Sequence, residues 1–377
     1  MKIAVTVARI LTGLLFIFSG LVKAIDPRGL AYKMQEFFEA WGNEGFMKTT
    51  MEGLGHYALG FSIIMITLEV VVGLALLLGW QKKLTTWILL LLIIFFTFLT
   101  SYVLFSGKIK ACGCFGDCIP ITPIQTFTKD IILLLLSLLL VANQKYITPV
   151  FKPSIGGLFV LIATIATLFL QWWVLRHLPP ADCLPYKKGN NILELRKMPP
   201  NAIPDKYEMT FVYEKNGGQK EFTTLALPDS SWTFVDRKQK LVTPGKNNIP
   251  VINDFSFTND RGEDVTDSVL GQNRNYYLLF VKDLEQLPKD FREDLAIAKN
   301  VMDAGIPIYI ITGQRTLVLN RFRDLLDAAA QNPIQVFTCD ATAIKTAARA
   351  DMVLYRMKGP VVDYKWGWAD FDDVEVK

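Results

Sequence analysis

The sequence predicts an α-helical membrane bundle of five transmembrane helices followed by a carboxyl-terminal α/β domain. Three observations carry that expectation. Apolar residues make up 51% of the 377 residues, and they crowd into the first half of the chain. Five runs there are long enough, at about 1.5 Å of rise per helical residue, to cross a hydrocarbon core of ~30 Å. Beyond about Pro180 the pattern changes to short β-branched and aromatic runs alternating with helical ones.

The first run, Ile3 to Val22, follows Lys2 and so has the look of a secretory signal, but Arg9 interrupts its apolar core and no small-x-small cleavage pattern follows in "SGLVKAID". It is therefore expected to be a span. Pro27 and Gly29 end it. In the polar segment that follows, Leu30, Met34, Phe37, Phe38 and Trp41 recur at helical spacing. This is an amphipathic helix that either lies on the bilayer surface or packs on the bundle. The second and third spans, Leu59 to Trp80 and Leu84 to Phe105, are joined tightly through "QKKLTT". A loop reading "KACGCFGDC", Lys110 to Cys118, separates them from the fourth span, Pro123 to Ala142. Thr122 before Pro123 is a good helix start, because proline gives up an amide hydrogen that would be unpaired there anyway. Pro149 and Pro153 stop that helix, and the fifth span, Ile155 to Leu175, ends beside Trp172 and Trp173, residue types that anchor at the membrane interface.

The domains are expected at 1–143 (four-helix membrane module), 144–180 (fifth span and tether), 181–252 (β-rich linker segment) and 253–377 (α/β domain). In the linker, Asn216-Gly217 between alternating runs signals a hairpin. The last domain reads strand (Tyr276 to Val281), helix, strand ("IPIYIIT"), helix, strand ("IQVFT"), short helix, then "MVLYR" and "VVDYKW" as a closing hairpin. That order describes a mixed sheet covered by helices.

A net charge of +4 without a basic run or zinc-finger spacing excludes a nucleic-acid partner. Charge does not orient the bundle: Lys2, Lys82, Lys83, Lys145 and Lys152 fall on one face, and Lys23, Arg28, Lys33, Lys48, Lys108, Lys110 and Lys129 on the other. The cysteines do. By helix count Cys112, Cys114, Cys118 and Cys183 emerge on the same face as the α/β domain, as do His56 and His177. Thiols gathered on one face imply an oxidising compartment, hence a cytoplasmic amino terminus and a periplasmic domain.

Three chemistries fit Cys112, Cys114 and Cys118. Disulfides would pin the loop to itself or to the start of the soluble domain. A strained Cys-x-Cys bridge would exchange with partner thiols. Thiolates with histidine and Asp117 would hold a metal, although the spacing matches no standard zinc pattern and no metal site is assigned. Within the bilayer, Arg9 and Glu69 are the expensive residues. Arg9, Gly13, Phe16, Gly20 and Lys23 share one face of the first span, where small residues let another helix approach. Counting from the helix ends leaves Arg9 and Glu69 about 8 Å apart in depth, so they are expected to form an ion pair that clamps spans one and two or marks a proton or quinone site. Phe16, Phe18, Phe95, Phe96 and Phe98 are candidate groove residues, while Lys129 and Asp130 are expected to snorkel at the interface.

The first span, "ARILTGLLFIFSGLVKAIDPRG", resembles the DoxX family of bacterial inner-membrane proteins, and the "CGCFG" loop resembles that of the related MauE proteins, over roughly Met1 to Asn143. The resemblance implies a four-helix module associated with thiol redox or quinone-linked electron transfer, with the fifth span as an added tether. The last domain is similar to thioredoxin-like proteins in the order of its elements. It departs from them where chemistry is expected, with "KDLEQLPKD" from Lys282 in place of Cys-x-x-Cys and Ala350-Asp351-Met352 in place of the adjacent proline. The domain is therefore expected to be redox-silent, and Cys339 to be a small core side chain. The function implied is an inner-membrane accessory or assembly subunit that presents this domain to an envelope protein. The competing expectation is a membrane thiol–disulfide oxidoreductase using Cys112, Cys114 and Cys118, with quinone as its candidate cofactor.

Overall fold

The computed structural model describes every residue except 46, 110–112, 216, 224–225, 285–295, 324–325, 327–333 and 377. Among the described residues, five helices are long and apolar enough to cross a membrane: α1 (Lys2–Ala24), α4 (Ala58–Leu78), α5 (Lys82–Ser106), α6 (Pro123–Ala142) and α7 (Pro153–His177). α6 begins with a full capping box, in which Thr122 accepts from the Gln125 amide and the Gln125 side chain accepts in return from the Thr122 amide. Between α1 and α4 lie α2 (Pro27–Asn43) and α3 (Lys48–His56). Of the two placements open for the amphipathic segment, the structure takes packing on the bundle: Leu30, Ala31 and Met34 bury against Ala58 and Ile66 of α4.

α1, α4, α5 and α6 share one core, with Phe16, Leu76, Leu89, Ile93 and Leu140 at its centre. α7 contributes nothing to that cluster and packs chiefly on α4, where Gln171 Nε2 donates to Thr67 Oγ1 over 3.0 Å. A closed four-helix unit with a fifth helix against its side is the result. The tightest helix contact is between α1 and α4. A Cβ on Gly73 would stand 2.9 Å from the Gly13 carbonyl oxygen, and one on Gly20 would stand 2.6 Å from Val70 Cγ2. Only glycine allows this approach.

Past α7 a short helix, α8 (Ile192–Leu195), precedes a three-stranded antiparallel sheet of order β2-β1-β3, built from β1 (Lys206–Lys215), β2 (Gly218–Thr223) and β3 (Thr233–Thr243). The hairpin signal is met by β1 and β2, paired from Thr210–Thr223 to Lys215–Gly218, although Asn216 itself lies outside the described residues. The segment leaves and returns to the lobe at one point, where Ile203 and Lys246 exchange two backbone hydrogen bonds of 2.8 and 3.0 Å.

The α/β lobe holds a five-stranded sheet of order β6-β5-β4-β7-β8: β4 (Asn275–Val281), β5 (Ile308–Thr312), β6 (Gln335–Thr338), β7 (Met352–Lys358) and β8 (Val361–Gly367). β4, β5 and β6 run parallel; β7 is antiparallel to β4, and β8 to β7. The central strand β4 buries both faces, as strands covered by helices on both sides do. Tyr276, Leu278 and Phe280 point into a layer with Phe255, Phe257 and Tyr355. Tyr277, Leu279 and Val281 point into another with Ile297, Val301 and Phe371. The covering helices are α9 (Thr266–Leu270), α10 (Ala296–Asp303), α11 (Arg315–Arg321) and α12 (Ala341–Ala347). The sequence reading of this region as a mixed sheet with a closing hairpin is met.

Candidate functional site

The carboxyl ends of β4 and β5 and the segment leading into β7 face the membrane module. The two parts are held there by charge. Asp26 caps the start of α2, its carboxylate accepting from the Gly29 amide over 3.1 Å, and stands 3.0 Å from Arg349 Nε. Arg349 Nη2 donates to Asp117, in the cysteine loop, over 2.6 Å. Only 7% of the Arg349 side chain is exposed. Arg28 donates to Asp351 over 2.8 Å, and Lys282, the residue after β4, stands 3.2 Å from the same carboxylate. Burial pushes the Asp26 carboxyl above its usual range and Arg349 opposes the shift. Burial, with Arg28 close by, pushes the Lys282 ammonium down to about 8. Arg28, Lys282 and Arg349 are thus buried cations whose carboxylate partners come from the other side of the junction or from the strand end beside them.

Two covalent and polar links complete the junction. Cys118 and Cys183 form a disulfide. It ties the loop between α5 and α6 to the chain that leaves α7, so that loop, α2 and the lobe lie on one side of the bundle. At the end of α7, His177 Nδ1 lies 2.5 Å from Asp370 and its ring stacks on Trp173 with centroids 4.7 Å apart.

Below the loop sits the intramembrane charge. Arg9 and Glu69 do not pair. Arg9 is level with the carboxyl end of α4, where it donates to the carbonyls of Leu76 (2.8 Å), Leu77 and Thr148 (3.0 Å). The last carbonyls of a helix have no intrahelical partner and carry its negative dipole end, so a cation there is stabilised without a carboxylate. Glu69 lies eight residues, or about 12 Å of helical rise, further along α4, beyond the reach of that guanidinium. Its partner is Lys23, the last residue but one of α1, with the two side chains 4% and 2% exposed. Ser19 Oγ lies 3.0 Å from Glu69 Oε2 and 3.1 Å from the Cys114 carbonyl oxygen, so its one proton can serve either acceptor. Lys23 also sits 5.0 Å from the centre of the Phe96 ring.

This is the arrangement of a membrane module fastened beneath a lobe. Residues 1–143 match the family model described as methylamine utilisation protein MauE. The membrane module is MauE-like. A curated relative, Protein TlpB of Flavobacterium psychrophilum, is 34% identical over 167 residues, which are 43% of this chain and 42% of the relative. The chain therefore matches about two fifths of that relative's length. Residues 207–244, the three-stranded sheet, match a domain of unknown function, DUF8463. No solved structure matches the chain.

The MauE-like module brings together some of the residues expected from sequence and separates others. Cys118 is bonded to Cys183, which removes it from any thiolate set for a metal. Cys114 is buried, 8% exposed, in a cluster with Phe37, Leu99, Val103 and Ile109. Cys112 lies outside the described residues, as does the stretch after Leu284 where a thioredoxin dithiol would fall. Cys339 lies in the lobe core beneath Phe257, and burial pushes its thiol up to about 12. The five phenylalanines do not line one groove. Phe16 is buried in the bundle core, while Phe18 and Phe98 are exposed and contact Phe115 and Trp41 at 6.1 and 5.9 Å. Asp130 does not snorkel: it is buried, pairs with Lys129, and accepts from Thr100 Oγ1 over 3.0 Å, because a carboxylate facing α5 needs a donor there.

Sequence reasoning missed Lys23 as the partner of Glu69, although Lys23 shares the Arg9 face; the glycine spacing that sets the α1–α4 register held the answer. It also missed Asp26, Arg349, Asp351 and Lys282. Asp26 and Arg349, like Arg28 and Asp351, pair across more than three hundred residues, and none of these residues carries a local pattern.

Proposed function

We propose that the chain is an accessory or assembly subunit of the bacterial inner membrane, in which the MauE-like module carries a redox-silent, thioredoxin-like lobe outside the cytoplasm and presents it to an envelope protein. The observation that carries this reading is the three-stranded sheet. Among its described strand residues only Val212 is buried, while Phe211, Tyr213, Phe222, Trp232 and Phe234 form an aromatic cluster with centroid spacings of 5.1 to 6.5 Å. Tyr207, Phe234, Leu241 and Val242 of the same sheet are exposed. A sheet of three strands with no core beneath it is poorly stabilised alone, and exposed apolar surface of this kind marks interaction sites. The lobe supports the same reading. The end of β4, where a thioredoxin places its reactive pair, leads into Lys282, whose ammonium lies 6.0 Å from the ring centre of Tyr32 in the membrane module. The disulfide fits an oxidising compartment for the lobe and a cytoplasmic amino terminus.

The experiment compares full-length protein with the Trp232→Ala/Phe234→Ala variant after in-cell crosslinking and purification in mild detergent. An envelope protein recovered with the first and lost with the second, while the Cys118–Cys183 bond stays intact in both, is the expected result. Equal recovery from both would overturn the reading.

A second reading, membrane thiol–disulfide exchange through Cys112 and Cys114 with quinone as acceptor, is favoured by one observation: Ser19 links the Cys114 carbonyl to the buried Glu69–Lys23 pair. Alkylation of intact cells separates the two. A thiol state that follows the quinone pool, or mixed disulfides lost in Cys114→Ala, supports exchange; indifference to both supports the accessory role.

A further inference from the structure

Between α2, the start of α4 and the strand ends of the lobe lies a cavity of about 370 Å³. Its wall combines three cations, Arg28, Lys282 and Lys345, with one carboxylate, Asp283, and an apolar side formed by Leu59 and Ile344. Asp351, bound to Arg28 and near Lys282, supplies a second negative charge. The balance of these five groups leaves one positive charge inside a largely buried space. Hydrogen bonding is out of balance in the same sense. Arg28 Nε and the Tyr32 hydroxyl are buried and have no hydrogen-bond acceptor, and Lys282 Nζ faces the Asp351 carboxylate at 3.2 Å, an acceptor it shares with Arg28. The Arg28 and Lys282 side chains are only 8% and 9% exposed. Lys345 adds a further donor, 5.4 Å from the Tyr32 ring centre and held at 3.4 Å by Gln35.

Buried donors without acceptors are costly, so Arg28 Nε and the Tyr32 hydroxyl, set among cations around one cavity, describe a site shaped for an acceptor-rich ligand. A phosphoryl group suits it better than a carboxylate. It offers more acceptor oxygens to the Arg28, Lys282, Tyr32 and Lys345 donors, and guanidinium and ammonium groups are the usual phosphate binders. The apolar side beside Leu59, the second residue of a membrane-spanning helix, suits the carbon body attached to that group. We propose that this cavity binds a phosphate ester, drawn either from a phospholipid headgroup or from a soluble phosphate ester, and that the bound group seals the junction between the MauE-like module and the lobe.

The test uses the full chain purified in a neutral detergent and stripped of lipid. Binding of radiolabelled sn-glycerol 3-phosphate and of inorganic phosphate is measured at equilibrium, and phosphorus retained before stripping is assayed in parallel. Expected is saturable binding at one site per chain, weakened at least tenfold by Lys282→Gln or by Lys345→Gln and unchanged by Lys238→Gln on the distant sheet. Lipid phosphorus that co-purifies with the native protein and is lost from Lys282→Gln assigns the headgroup source; soluble-probe binding without retained lipid assigns the free ester. The Cys118–Cys183 bond, read on a non-reducing gel, reports folding of each variant. Absence of saturable binding, together with lipid phosphorus equal in the native protein and both cavity variants, would overturn the proposal.

Discussion

Cys118, in the loop between the third and fourth spans, is bonded to Cys183, 65 residues on and just beyond the fifth span. The bond joins two points that the helices alone would leave as separate loop ends, and Asp117, its neighbour, receives Arg349 from the lobe. One covalent and one ionic tie therefore meet at the same loop.

Removing the bond should loosen the lobe. In Cys118→Ser/Cys183→Ser, chain-entropy reasoning for a loop of 65 residues gives a loss of at most about 4 kcal/mol, because the spans already hold both ends. Limited proteolysis of detergent-solubilised protein should show faster cleavage around residues 178–190 in the variant. With a protease site inserted at Lys145, the wild-type halves should separate on a gel only after reduction.

Glu69→Ala should be more damaging than its depth in the membrane alone suggests. It leaves Lys23 buried without its carboxylate, a change that typically costs about 3–5 kcal/mol, a large fraction of a single domain's stability. Lys23→Met/Glu69→Gln should recover most of that loss. Thermal unfolding in detergent followed by near-ultraviolet circular dichroism measures both. Arg9→Met should not be rescued by any change at Glu69, since the two do not interact.

Gly73→Leu should separate α1 from α4, since a Cβ there meets the Gly13 carbonyl oxygen at 2.9 Å, whereas Gly60→Leu, with nothing within 4 Å, should be tolerated. Overpacking of this kind costs about 1–3 kcal/mol or more. Expression level and melting temperature of the two variants should diverge accordingly.

The junction should respond to alkali through Lys282. Its ammonium, facing Arg28, Asp351, Asp283 and Tyr32, is pushed by burial from 10.5 down to about 8. The unfolded chain therefore holds the proton over a range in which the folded chain has released it. The stabilising contribution is complete above 10.5 and is lost as pH falls through about 8. Relative to Lys282→Met, the wild type should gain stability on the order of 3 kcal/mol between those two values, read from denaturation midpoints across the range.

The spans and the sheet of the lobe were legible because each rests on a local pattern: apolar length for α1, α4, α5, α6 and α7, and alternating runs for β4 to β8. The intramembrane pairing was legible only to its residue types. Depth counting placed Glu69 near Arg9, but the α1–α4 register is set by Gly13, Gly20 and Gly73, and that register brings Lys23 to the carboxylate and Arg9 to the helix end. The junction was not legible. Asp26 and Arg349, or Arg28 and Asp351, are ordinary charged residues until the membrane module and the lobe meet, and no periodicity announces such a meeting.

The paired backbone bonds between Ile203 and Lys246 carry a consequence for how this chain is put together. A segment whose two ends already touch can be cut out and its stumps rejoined by a tight turn without moving the scaffold. The aromatic sheet is thus a cassette, joined to the rest at a single neck, that can be exchanged or lost while the bundle and lobe below keep their shape.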